Sequence, residues 1–147
     1  MAGQYSATKA GGPHQITIKA SNQLVIKDIL FGDVWVCSGQ SNMELPMERL
    51  KDAYPDIYRS AKNPMIRQFI VPKTYDFNME KEDFSGGSWM EVSPTTIKDF
   101  SGVAYFFAAK VYESEKIPIG LVNSALGGSP AQSWISETGL KKFPGYL

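Results

Sequence analysis

Ser41 stands near the end of the string Phe31 to Glu44, FGDVWVCSGQSNME, in a setting that could make its hydroxyl a nucleophile. The run Val34, Trp35, Val36 and Cys37 is β-branched, aromatic and apolar, which predicts a buried strand over Asp33 to Cys37 ended by Ser38-Gly39. Ser41 sits three residues before Glu44, the spacing of a capping box, so Ser41 is expected at the N-terminus of a helical turn. The carboxyl ends of strands in an open α/β sheet form the ligand crevice, and helix N-termini there favour developing negative charge. A cap is the simpler role for such a serine. A nucleophile is the more consequential one.

Few other residues compete for a chemical role. Cys37 is the one cysteine in the chain, and its place inside an apolar strand predicts a small buried hydrophobe, since a reactive thiol needs access and a polarising partner. His14 is the one histidine. Imidazole is the usual general base near neutral pH, but His14 lies beside Pro13 well upstream and is expected as a solvent-facing turn residue. A lone Cys with a lone His gives no metal-ligand spacing, and neither a metal nor an organic cofactor is expected.

The 147 residues suffice for one domain with a real core, and the chain has the composition of a soluble globular protein. Fifteen basic and fifteen acidic residues cancel without a basic cluster, so nucleic acid is not an expected partner. No apolar run is long enough to span a bilayer, so no membrane partner is expected either. The first residues, MAGQYSATKAGG, lack the charged and apolar regions of a secretory signal.

The elements that must hold Ser41 follow from pattern. Gly11-Gly12-Pro13 is expected to break the chain. Beyond it, the alternation of Ile16, Ile18 and Ala20, the turn at Ser21-Asn22 and the run Leu24 to Ile26 predict a hairpin over about Gln15 to Lys27. Two strands alone are marginal, so this hairpin needs a partner. After Glu44, Pro46 shortens the turn begun at Ser41, and Met47 to Tyr54 is expected as a brief helix ended by Pro55. Ile66, Phe69, Ile70 and Val71 mark a second sheet strand, and Thr74 to Gly87 is polar and irregular. Trp89 is expected to pack under that loop. Phe100 to Lys116 is the clearest helix, with Val103, Phe107 and Val111 at four-residue spacing, Ala104, Phe106 and Ala108 widening the stripe, and Asp99 or Ser101 as cap. Pro118 stops it, and Ile119 to Asn123 is a third strand, an order that predicts a crossover and a parallel sheet.

Two blocks carry a family resemblance. GDVWVCSGQSNME resembles the first block of the SGNH hydrolases, and within them it is most similar to the sialate O-acetylesterase branch and related carbohydrate acetylesterases. The lipase elbow Gly-x-Ser-x-Gly is absent, because Met43 holds the final position. NSALGGSPAQSW, Asn123 to Trp134, is similar to the family's second block, and Trp89 with Ser93-Pro94 also falls in the family's order.

The resemblance implies an α/β, flavodoxin-like three-layer sandwich with a parallel sheet, incomplete here. Residues 1–28 would be the last strands of a preceding β-sandwich, and 29–147 the first half of the hydrolase domain. It implies that Ser41 is the nucleophile and that Gly127 or Gly128 gives a backbone N–H to the oxyanion hole, a role that glycine suits because the backbone can approach closely. The substrate implied is an acetylated sugar, sialic acid foremost, with acetylated xylan or another glycan as alternatives. A non-catalytic carbohydrate-binding relative is a further one. The family's Asp-x-x-His block and its oxyanion asparagine have no counterpart in this sequence. The chain is therefore expected to be a fragment, inactive alone, of an extracytoplasmic esterase whose C-terminal remainder completes the domain.

Overall fold

The computed structural model describes residues 8–75, 79 and 81–146. The start of the expected β-domain, residues 1–7, and part of the expected irregular stretch, 76–78 and 80, lie outside the described residues.

Four strands form the sheet on which everything else is hung. They are β3 (Asp33–Gly39), β4 (Asn63–Ile70), β5 (Trp89–Val92) and β6 (Ile119–Ala125), in the spatial order β3-β6-β4-β5. The last strand in sequence inserts between β3 and β4 and is parallel to both, while β5 is antiparallel to β4. This is the expected parallel sheet, with one addition at its edge. β5 has only four residues, and Trp89 opens it at 47% exposure, its ring 5.8 Å from that of Phe69, instead of packing beneath a loop.

Alternation fixes which face is core. In β6, Ile119, Leu121, Asn123 and Ala125 are buried, and the parallel register sets Trp35, Cys37 and Gly39 of β3 beside the last three of them. Burial pushes the Cys37 thiol above its ordinary value, in keeping with a packing role. Ile66 and Gln68 of β4 continue this face, with Phe100 and Ile97 filling the space below. Gln68 is fully buried, its side-chain amide donating to Asp99 O at 3.1 Å and its carbonyl accepting the Ser101 N–H at 3.0 Å.

Helix α3 (Gly102–Glu115) lies over β6 and β4. Ala104 and Ala108 are its buried contacts, small enough to bring the helix close to the sheet. Val103 and Phe107, expected in the core stripe, are 48% and 38% exposed, because the helix sits over β6 and β4; Phe107 meets the half-exposed Trp35 edge-on at 5.0 Å. Val34 and Val36, on the opposite face of β3, are 64% and 72% exposed. Sheet and α3 are thus two layers of the expected three.

Of the two candidate caps, Ser101 is the cap. Its Oγ accepts the Ala104 N–H at 3.2 Å, and the residue is 1% exposed. Ser101→Ala is expected to cost about 1–2 kcal/mol, because a buried helix amide loses its acceptor, read as a lower urea midpoint with an unchanged slope.

Before the sheet comes a separate hairpin, β1 (Gly11–Lys19) with β2 (Gln23–Phe31). Gly11-Gly12-Pro13, expected to break the chain, lies inside β1. His14 is likewise in the strand, half-buried and edge-on to Phe31 at 5.1 Å, because pairing with Ile29 carries it into the sheet ladder. Cross-strand partners Ile18 and Leu24 are 45% and 54% exposed, so one face of the hairpin keeps apolar side chains in water. Of the shorter helices, α2 (Pro55–Ser60) lies between β3 and β4, and α4 (Glu137–Leu140) follows β6. Pro55 begins α2 instead of ending a helix, a position that suits its fixed φ and missing N–H. A single 3-10 turn, Met47–Leu50, stands where a helix to Tyr54 was expected.

Candidate active site

Three parallel strands end at one edge of the sheet, and the segments that leave them meet there. β3 runs into a one-turn helix, α1 (Ser41–Glu44). The expected capping box does not form. Gln40 is the N-cap, no side chain caps the turn, and Ser41 is its first helical residue. The reason is tertiary: the Glu44 carboxylate has better partners, accepting the Gly127 N–H at 2.6 Å and pairing with Lys73. Both partners hold the Glu44 carboxyl below its ordinary value, the Lys73 ammonium most strongly and the Gly127 amide next.

The Ser41 hydroxyl, freed from capping, has no hydrogen-bond partner among the described residues. It lies beside the second glycine block. A methyl group built on Gly127 would stand 3.5 Å from Ser41 Oγ and would meet Glu44 Oε2, so a side chain there would have to push the Glu44 carboxylate aside. Gly128 has φ +79°, a conformation that favours glycine, although a methyl group built on it would meet nothing within 4 Å. All three residues singled out in the sequence, Ser41, Gly127 and Gly128, are therefore brought together.

Backbone and side-chain bonds fix this meeting. Leu126 N–H donates to Gly39 O at 2.9 Å, which extends the β3 and β6 ladder by one bond, and Gln40 Nε2 donates to Ser129 O at 2.9 Å. On the other side, Met47 N–H donates to Phe100 O and Gly102 N–H to Leu45 O, both at 2.8 Å, which ties the segment after α1 to the start of α3. Pro46 thus stands in a short bridge to Ser101.

A cavity of about 230 Å³ opens beside the glycine loop, lined among others by Lys73, Tyr75, Ser129 and Trp134. Trp134 is held by its Nε1–H donating to Ser129 Oγ at 2.9 Å, and Ser129 Oγ in turn donates to Leu126 O at 2.7 Å. Trp134 remains 40% exposed.

His14 is not part of this edge. It stands by Phe31, before β3, and Ser41 follows β3, so seven strand residues, roughly 20 Å of chain, separate the two ends. Sequence reasoning missed Lys73 and Gln40, and gave Glu44 the wrong partner. A lysine just past the carboxyl end of a sheet strand was the available signal.

The fold and the relatives agree. A solved carbohydrate acetylesterase from Xanthomonas citri superposes with a TM-score of 0.85 at 35% identity, over 94% of this chain and 32% of that one. The sialate O-acetylesterases of Rattus norvegicus and Homo sapiens are 34% and 32% identical to it over 90% of the chain. The chain spans 27% and 28% of the length of those two relatives. The family model described as carbohydrate esterase, sialic acid-specific acetylesterase, matches residues 31–144, and the chain belongs to that family.

Proposed function

We propose that this chain supplies the nucleophile and oxyanion half of an O-acetylesterase acting on acetylated sugars, sialic acid first among them. The observation that carries the reading is the placement of an unbonded Ser41 hydroxyl against the Gly127-Gly128 loop. Ser41 Oγ attacks the acetyl carbonyl, and the resulting oxyanion is met by a glycine N–H. Collapse transfers the acetyl group to Ser41 and releases the sugar hydroxyl. Water then hydrolyses the acetyl-enzyme. Each step needs a base that takes and returns a proton, and no residue at this edge is a histidine. The base and its acidic partner are assigned to the sequence beyond these 147 residues. Trp134, fixed by Ser129 and open on one side, supports a sugar ring stacked beside the ester. Residues 1–28 belong, in this reading, to a preceding β-domain, which would cover the apolar face of the hairpin.

The test compares two proteins. The 147-residue chain is expected to cleave p-nitrophenyl acetate no faster than its Ser41→Ala variant, whereas the full-length enzyme deacetylates O-acetyl sialic acid. A Ser41-dependent rate in the short chain would show that a base lies within it. A full-length enzyme that prefers acetylated xylan in a panel of sugars would reassign the substrate and leave the chemistry in place.

A further inference from the structure

We propose that Glu44 is a positioning residue which, with Lys73, latches the glycine loop to α1, engages the Gly127 N–H, and leaves the Gly128 N–H as that loop's donor to the oxyanion. The proposal rests on Ser41 being the nucleophile and decides between the two glycines that the sequence leaves equivalent.

The geometry is that of one side chain tying three strand exits together. Glu44 follows β3, Lys73 follows β4 and Gly127 follows β6, the central strand of the three. The two carboxylate oxygens take different partners: Oε2 accepts the Gly127 N–H at 2.6 Å, and Oε1 pairs with Lys73 Nζ. Residues 83 positions apart are thereby joined directly beneath the nucleophile.

An amide has one hydrogen, and a charge-assisted bond to a carboxylate is among the strongest it can make. An oxyanion would have to displace that carboxylate to use the Gly127 N–H. Gly128 has no such competitor, for among the described residues its N–H meets no acceptor. A bare carboxylate so close to a developing oxyanion would oppose the reaction. Lys73 removes the objection, because the pair carries no net charge. Lys73 is the charged group that acts on Glu44, while the Ser41 hydroxyl and the Gly127 amide are neutral.

The test follows the Gly127 and Gly128 amides by NMR in the 147-residue chain. Gly127 N–H is expected to exchange with solvent roughly 10- to 100-fold more slowly than Gly128 N–H, once each is corrected for its intrinsic rate. Its shift should titrate with Glu44 at a midpoint below the ordinary glutamate value, since both partners favour the carboxylate. The latch is then complete above that ordinary value and lost as pH falls through the lowered one. Glu44→Gln should abolish the titration while keeping part of the protection, Lys73→Met should raise the midpoint, and Lys73→Arg should restore it. Equal exchange at the two glycines, or a Gly127 shift that ignores acid, would overturn the latch. Should Glu44→Gln not fold, the wild-type titration and the Lys73 variants decide.

The oxyanion assignment is read separately. In full-length enzyme labelled with ¹⁵N-glycine and phosphonylated on Ser41, the Gly128 amide should move downfield and Gly127 should keep its shift. Movement of Gly127 instead sinks this proposal. Failure of Ser41 to react sinks the nucleophile reading and leaves the latch to the first measurement.

Discussion

Ser41→Ala is expected to lower the esterase rate of the full-length enzyme by ~10⁴-fold or more, the size of loss seen when a serine nucleophile is removed from a hydrolase. The fold should not notice. Ser41 contributes its backbone to α1, where its carbonyl accepts the Leu45 N–H at 3.0 Å, and alanine preserves that bond. Its hydroxyl caps nothing and bonds to nothing among the described residues, so the unfolding midpoint should move by less than about 0.5 kcal/mol equivalent. The combination is diagnostic: a large kinetic loss with unchanged stability belongs to a nucleophile, and the reverse belongs to a structural serine. A residual rate within about tenfold of wild type would remove Ser41 from the mechanism.

Gly32→Ala is expected to be the most damaging of the glycine substitutions for stability, by about 3 kcal/mol. Gly32 turns the chain from the hairpin into β3, and a methyl group built there would collide with the carbonyl oxygen of Pro118. That carbonyl cannot step aside. It accepts the Asp33 N–H at 3.0 Å and stands directly before β6, so its movement would disturb the first rung of the β3 and β6 ladder. Backbone meets backbone, and no flexible side chain absorbs the overlap. Gly145→Ala is the natural control, since nothing lies within 4 Å of its added methyl, and it should stay within about 0.5 kcal/mol. Urea unfolding of both variants gives the comparison. Equal midpoints would show that the β2 to β3 corner yields more readily than its geometry implies.

What the sequence makes legible here is whatever rests on strong local pattern. β3, β6 and α3 announce themselves by apolar runs and a Pro stop, and the serine and glycine blocks announce themselves by composition. Interactions set by tertiary neighbours are not legible in that way. The Ser41 to Glu44 spacing fits a capping box, and nothing local says that Lys73 and Gly127 will take the carboxylate instead. Val103 and Phe107 have the right period for a core stripe. Which part of that stripe is covered depends on where α3 crosses the sheet, and periodicity carries no such information. β5 escapes notice for a related reason: four residues with one aromatic become a strand only because β4 offers an edge.

The parallel register of β3 and β6, in which Gly39 stands beside Ala125, places Ser41 and Gly127 each two residues past a matched pair. The reacting centre is thus measured out by counting along two strands, and its accuracy is that of a ladder whose rungs are about 3.3 Å apart. Lengthening a surface connection such as residues 51–54 leaves that count intact, whereas one residue gained or lost inside β3 would shift Ser41, and one inside β6 would shift Gly127, out of the matched register. By this geometry the connections can change length, whereas the interior of the two strands can change letters but not number.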